Sequence, residues 1–214
     1  MTTAATTATA SAKPGPRERL LLAAQELTYR QGVGVGVDAI LKASGVARRS
    51  LYEHFGGKDG LLAEVLRRST AEDEAQYRAT MAAAGADPRA RLLAVVDRLG
   101  VIAADPDFRG CRYLAADLGL ADPAHPGHEV TRAYRSTVHG LFEAEFRALG
   151  HARPGFAADQ LLILVDGLLA AGLTRPDARA AAASRELAEH IIDSGLPATT
   201  TRTTAGGDVG FHNN

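Results

Sequence analysis

The 214-residue chain has no tryptophan, only 5% aromatic residues, and a single cysteine, Cys111. One cysteine cannot build an intramolecular disulfide framework, and such usage fits a reducing cytoplasm. Long apolar runs are missing too. The longest nearly apolar stretch, 161–173, has Asp166 inside it and falls short of the roughly 20 residues a membrane span needs. The N-terminus has no charged segment followed by an apolar run, so no signal peptide and no membrane partner are expected. Catalytic signatures are absent as well: no G-x-S-x-G, no phosphate-binding glycine loop opening a helix, and no Cys/His pair at catalytic spacing. The expectation is therefore no catalytic residue, no enzyme and no cofactor. Net charge is only −1, so bulk charge does not point to a polyanionic partner.

What is present is helix-forming sequence. Hydrophobic residues make up 46% and charged residues 23%, as in ordinary globular proteins, and abundant alanine favours closely packed helices. No convincing alternating strand and no internal repeat interrupts this pattern. Charge is unevenly placed. Residues 1–60 carry eight Lys/Arg against five acids, whereas the remainder carries sixteen against twenty. A mildly basic head on an acidic body fits a local polyanion contact.

About nine helices are expected. The first covers 17–31 and stops at Gly32; the glycine–valine alternation after it is read as a loop. A short helix at 38–43, a turn at Ser44-Gly45-Val46, and a third helix at 48–54 follow. The fourth runs 58–83. Asp87-Pro88 caps a fifth, which Asp105-Pro106 breaks. A short sixth is expected over 108–118, then a loop through Pro126. The seventh carries Val130 to Leu149, the eighth covers 156–173 and is apolar nearly all round, and the ninth follows the turn at 175–177 and stops at Gly195 and Pro197. The organisation is all-α: a tail (1–15), a three-helix head (16–60), a larger helical body (61–196) and a second tail (197–214), both tails disordered.

The second and third helices, joined by a glycine turn, have the form of a helix-turn-helix. Its second helix is the one that enters the major groove. There, Arg48, Arg49 and Ser50 are the groove contacts, Tyr52 holds phosphate, and His54 stands on the same flank. Val46, Leu51 and Phe55 belong to the core. Lys58, opening the next helix among exposed backbone N–H groups, makes a phosphate clamp. Lys42 and Arg17 reach the flanking backbone.

With these positions in view, residues 17–66 resemble the DNA-binding domain of the tetracycline-repressor (TetR) family of bacterial regulators. The resemblance rests on Arg17, Leu20-Leu21, Ala23-Ala24, Leu27, Gly32, Ile40, Gly45-Val46, Ser50-Leu51-Tyr52, Phe55, Lys58 and Leu61-Leu62 in order. It implies a homodimer on a near-palindromic double-stranded operator and a C-terminal bundle that binds a small-molecule effector and releases DNA. The sequence departs from the family at four places. Thr28 stands where an aromatic is usual, with Tyr29 next to it; Leu41 replaces a common Ala; the loop before the second helix is glycine-rich; and Ala47 replaces Ser.

In the body, Leu99, Phe108, Tyr113, Asp117, Tyr134, Val138, Phe142 and Asp166 are the effector-pocket candidates, for a mostly apolar ligand with few polar handles. Leu162, Val165, Leu169, Leu187 and Ile191 are the dimer-interface candidates, with Gly167 and Gly172 allowing close helix approach at that seam. Asp166, costly to bury unpaired, caps a polar group in the pocket, pairs across the dimer, or stays partly exposed. Cys111, near a helix start, reads as packing against a sensing alternative. His125 and His128 flank Pro126-Gly127, which argues for a surface loop rather than a metal site. Two function classes stand: a ligand-responsive repressor, and a small-molecule-binding helical dimer with degenerate DNA binding. Activation instead of repression differs only in promoter geometry.

Overall fold

The computed structural model describes residues 14–174 and 178–196. The expected tails, apart from Pro14 and Gly15, and the expected turn at 175–177 lie outside the described residues. Among the described residues the chain forms nine α-helices and no strand. These are α1 (Pro16–Gln31), α2 (Val37–Ser44), α3 (Arg48–Phe55), α4 (Lys58–Ala83), α5 (Pro88–Ala103), α6 (Arg112–Gly119), α7 (Pro126–Ala148), α8 (Pro154–Thr174) and α9 (Ala178–Ser194).

Local chemistry sets most of the boundaries. Pro16 starts α1, where its missing N–H costs nothing. Gly32, at φ +82°, ends it and donates its N–H to the Thr28 carbonyl at 2.9 Å. Gly45, at φ +62°, turns the chain between α2 and α3 through the left-handed region that side chains avoid. The Asp87 carboxylate caps α5 by accepting from the N–H groups of Arg89 and Ala90.

Two expected boundaries move most, while the eighth helix starts at Pro154, two residues before 156. The sixth helix begins at Arg112, not 108, because Gly110 at φ +90° interrupts the segment and Cys111 becomes the cap residue. The seventh begins at Pro126, and His125 is its cap: His125 Nδ1 accepts from the Gly127 N–H at 2.9 Å. His125 is consequently buried, which corrects the surface-loop reading.

The helices enclose two apolar cores. The head core joins Leu20, Leu21 and Ala24 of α1, Ile40 of α2, Leu51 of α3, and Leu61 and Val65 of α4. The body core begins on the same helix at Leu66 and takes in Tyr77, Leu92, Val96, Phe142, Phe146, Leu161, Leu168 and Ile192. Helix α4 thus runs unbroken past residue 60 and belongs to both. The glycine–valine loop is a second tie. Val35 is buried in the head core, whereas Val33 packs on the body, where a Cβ at Gly119 of α6 would stand 2.6 Å from its Cγ2.

Helix α8 is 21 residues long and apolar enough, by length and composition, to cross a membrane. One flank of it packs on α5, α7 and α9. Gly172 belongs to that flank: a Cβ there would lie 2.5 Å from the Ala103 carbonyl of α5, so its close approach is internal to the subunit and not at a dimer seam. Gly167 opens outward with nothing nearby, beside Ile163, which is 71% exposed.

Gly60, in the first turn of α4, has the tightest backbone fit. A Cβ there would stand 1.9 Å from the Phe55 carbonyl oxygen at the end of α3. Gly60→Ala is expected to lower stability by about 1–3 kcal/mol through overpacking. Gly140→Ala, at an exposed mid-helix position of α7 with nothing within 4 Å, is expected to raise it by about 0.5–1 kcal/mol. Chemical denaturation of the two variants checks both signs.

Candidate functional site

Helix α3 divides as its sequence predicts. Leu51 is buried and Phe55 packs on the head core, while Arg48, Arg49, Tyr52 and His54 are exposed and Ser50 is half-buried. The two arginines are held by carboxylates: Arg48 by Asp38 of α2, and Arg49 by Glu53, whose Oε1 accepts from Nε at 2.6 Å. All four side chains are at least half exposed. Such pairs stabilise by at most about 1 kcal/mol, so the guanidiniums can exchange them for phosphate or a base edge at little cost. The Arg49/Glu53 spacing of four was legible in the sequence; the reach of Asp38 across to Arg48 was not, because it depends on the α2–α3 angle.

Tyr52 is 56% exposed and its ring leans on Gly57, whose added Cβ would lie 3.6 Å away. Lys58 opens α4, whose cap residue Gly57 offers no side-chain acceptor. The first-turn N–H groups are therefore left to solvent or to an anion. Lys42 is exposed in the last turn of α2. Arg17, half exposed, has a structural partner as well. Its guanidinium donates to Glu64 Oε1 of α4 at 2.6 Å and lies 5.3 Å over the Phe55 ring, so it ties the head together. Arg17, with Arg67 adding to it, holds the Glu64 carboxyl below the usual range. Ala47 caps α3 without a side-chain hydrogen bond. The missing hydroxyl weakens the cap but the helix forms, its first turn closed by the Ser50 N–H on the Ala47 carbonyl at 3.0 Å.

The body holds a cavity of about 150 Å³. Its apolar wall comes from Leu99 and Ile102 of α5, Val138 of α7 and Leu162, Val165 and Leu169 of α8, with Phe108 at the side. Tyr113 of α6 donates its hydroxyl to Asp73 Oδ2 of α4 at 2.5 Å, and its ring stacks 4.1 Å from that of Tyr134. Burial, reinforced by the Asp73 charge, holds the Tyr113 phenol far above its ordinary range; burial does the same for Tyr77 and Tyr134. All three phenols stay uncharged, and the Tyr113 proton is committed to Asp73. Asp166 meets Arg135 of α7 through both carboxylate oxygens, and this hydrogen bonding raises the Arg135 guanidinium.

Leu99, Phe108, Tyr113, Tyr134, Val138 and Asp166 thus come together around one space. Two expected pocket residues do not. Phe142 is fully buried behind Tyr77, edge-on at 6.1 Å. Asp117 ties α6 to α7, accepting from Thr131 Oγ1 at 2.8 Å and meeting His128 Nδ1 at 2.8 Å. Among the expected dimer residues, Leu162, Val165 and Leu169 face the cavity. Ile191 is half-buried against the body core, and Leu187 is 53% exposed. Asp166 is neither unpaired nor turned outward.

Sequence reading missed Asp73, Arg98, Arg112 and Arg135 in the cavity wall, and the part played by Tyr29. Asp73 and Tyr77, four apart on α4, carried the only local signal. The Tyr29 hydroxyl accepts the Arg109 N–H at 3.0 Å, and its ring lies 5.2 Å from the Arg112 guanidinium. The aromatic displaced by one position from Thr28 therefore bridges head and body.

Comparison with known proteins agrees with this geometry. Residues 20–65 match the family described as bacterial regulatory proteins, tetR family. The chain is 32% identical over 196 residues to the HTH-type transcriptional regulator BetI of Stenotrophomonas maltophilia, covering 87% of this chain and 95% of that protein. It belongs to the TetR family of transcriptional regulators. Among solved structures, a TetR-type regulator from Streptomyces avermitilis is 38% identical with a TM-score of 0.70, covering 82% of this chain and 99% of that one. A TetR-family regulator from Streptomyces coelicolor is 29% identical with a TM-score of 0.75, covering 85% and 96%.

As a TetR-family member the chain is a DNA-binding transcriptional regulator, with α2–α3 as its helix-turn-helix. Among the described residues no group of three or more His, Cys, Asp or Glu is placed to hold a metal ion. Cys111 lines the cavity beside α6. Burial pushes its thiol up, outweighing the backbone N–H groups of Leu114 and Tyr113 that act the other way. The thiolate is the reactive form. Cys111 in the folded regulator is therefore expected to react with iodoacetamide at pH 7.5 more slowly than free cysteine, and at the free rate once the chain is denatured.

Proposed function

We propose that this regulator is a dimeric repressor, cytoplasmic, that leaves a near-palindromic operator when a small organic effector enters the body cavity. The observation that carries this reading is the composition of the cavity wall. Asp73 and Tyr77 stand on α4, whose first residue is Lys58, and Tyr29 stands on α1 of the head. An effector that fits the cavity better in one setting of α4 favours that setting, and by linkage DNA disfavours the effector by the same factor. The apolar wall with neutral phenol donors suits a mostly apolar molecule carrying a few polar groups.

The dimer is assigned to the outward faces of α8 and α9. Ile163, Leu173 and Leu187 are each more than half exposed there, and two copies of the pair make a four-helix bundle. Such a dimer sets two recognition helices about 34–36 Å apart, one DNA turn, or a multiple of it. The rival reading, degenerate DNA binding, drew on the glycine-rich loop and on Ala47. The loop instead serves both cores, and α3 forms without the cap.

Two measurements check the proposal. In gel shifts with the promoter nearest its own gene, Arg49→Ala is expected to weaken binding by about 1–3 kcal/mol and to relax specificity at one base position. Absence of any salt-sensitive, sequence-specific shift rejects the operator. Second, the Ile163→Glu/Leu187→Glu pair is expected to give a monomer by light scattering and to weaken operator binding about a hundredfold or more, through loss of the second half-site. A dimer that survives both changes places the interface elsewhere.

A further inference from the structure

A second cavity, of about 200 Å³, lies where the head meets the body, between α1, α4 and α6. A single water needs roughly 10–15 Å³ on the same measure, so this is room for a small organic molecule. Its floor is apolar, from Leu62, Leu66 and Ala116. Its polar wall holds three cations, Arg30 of α1, Arg109 of the loop before α6, and Arg112 of α6, beside the neutral Gln25, Thr28, Tyr29 and Ser69. No carboxylate lines it. The acids that pair with Arg30 and Arg109, Glu26 at 3.5 Å and Asp107 at 3.7 Å, stand outside the wall and are 69% and 94% exposed, so these are weak pairs. Arg112 has no carboxylate within 4.0 Å among the described residues. It donates to Ser69 Oγ at 3.1 Å and rests on the Tyr29 ring.

Arg109 also donates through Nη1 to the Pro106 and Phe108 carbonyls at 2.9 and 3.0 Å. Three arginines around an apolar floor, with weak outside partners and no carboxylate in the wall, suit an anion. We propose that this junction cavity, which shares Tyr29 and Arg112 with the body cavity, is a second small-molecule site, selective for a compact carboxylate with an apolar tail. The carboxylate takes the place of the missing wall acid, and the tail lies on Leu62, Leu66 and Ala116. Because α1 and α4 form one side and α6 the other, the bound anion pins head to body. Its occupancy is thereby linked to whatever moves that junction, DNA included.

The test uses the full-length protein and three probes with one tail and three head groups: hexanoate, hexan-1-ol and hexylammonium, at matched ionic strength. Binding is read by calorimetry, with thermal unfolding alongside. Hexanoate is expected to bind saturably and at least about tenfold more tightly than the other two, as a charge-assisted pair implies. The Arg30→Gln/Arg109→Gln variant removes two cations that do not line the body cavity and is expected to weaken hexanoate about tenfold or more. Ala115→Leu fills the junction cavity from an exposed helix position without altering charge and is expected to abolish binding. Equal binding of hexanoate and hexanol overturns the proposal. So does undiminished hexanoate binding in either variant, which would send the anion to the body cavity or to the general surface.

Discussion

The continuity of α4 is the constraint on which the rest of the molecule depends. Its 26 residues make a rod about 39 Å long, and the two cores divide between adjacent residues on it, Val65 and Leu66. Neither core can shift along this helix without moving the other. The Lys58 end presents backbone N–H groups and an ammonium at the head surface, while Asp73 and Tyr77 stand in the cavity wall further along. Tyr113 and Asp73 thus meet on the same rod that begins beside the recognition helix. Packed interfaces switch between discrete settings rather than deforming smoothly, and a rod shared by two cores is suited to carry such a step.

Other ties run parallel to it and are chemically different. Val33 reaches the body on Gly119 of α6, and Tyr29 holds both the Arg109 N–H and the Arg112 guanidinium. His125, at the start of α7, brings a buried Nε2 to 3.5 Å from Asp59 in the first turn of α4 without a hydrogen bond between them. Helix α6 thus meets the head through a short valine and a phenol, with no long apolar interface.

The charged groups divide by exposure. Arg48 and Arg49 are paired at the surface, where the pair is weak and exchange with a phosphate is easy. Arg135 and Asp166 are paired in a half-buried wall, where separating them leaves a charge with poor solvation. The first arrangement leaves the guanidiniums free to change partner. The second fixes the shape of a cavity, and the buried tyrosines complete it with donors that stay neutral.

The all-helical architecture and the helix-turn-helix were legible from the chain because their signals act over one or two turns. Pro16, Gly32, Gly45 and Asp87 set boundaries through their own backbone and nearest neighbours, and α3 is amphipathic enough to separate Leu51 from Arg49. The boundaries that moved, at Arg112 and Pro126, depend on a left-handed glycine and on a histidine cap, both weak in sequence. Helix α8 shows where local reading ends. It is apolar on nearly every side, so no stripe marks a face, and Leu162, Val165 and Leu169 look the same as Ile163. Their separation into cavity wall and outward surface comes from where α5, α7 and α9 lie. The same holds for Asp117 and Phe142, which have the chemistry of a pocket but are directed to α7 and to the core. Side-chain type and periodicity were set in the chain; direction and partner were settled by packing among distant helices, because an apolar helix has no preferred face until its neighbours supply one.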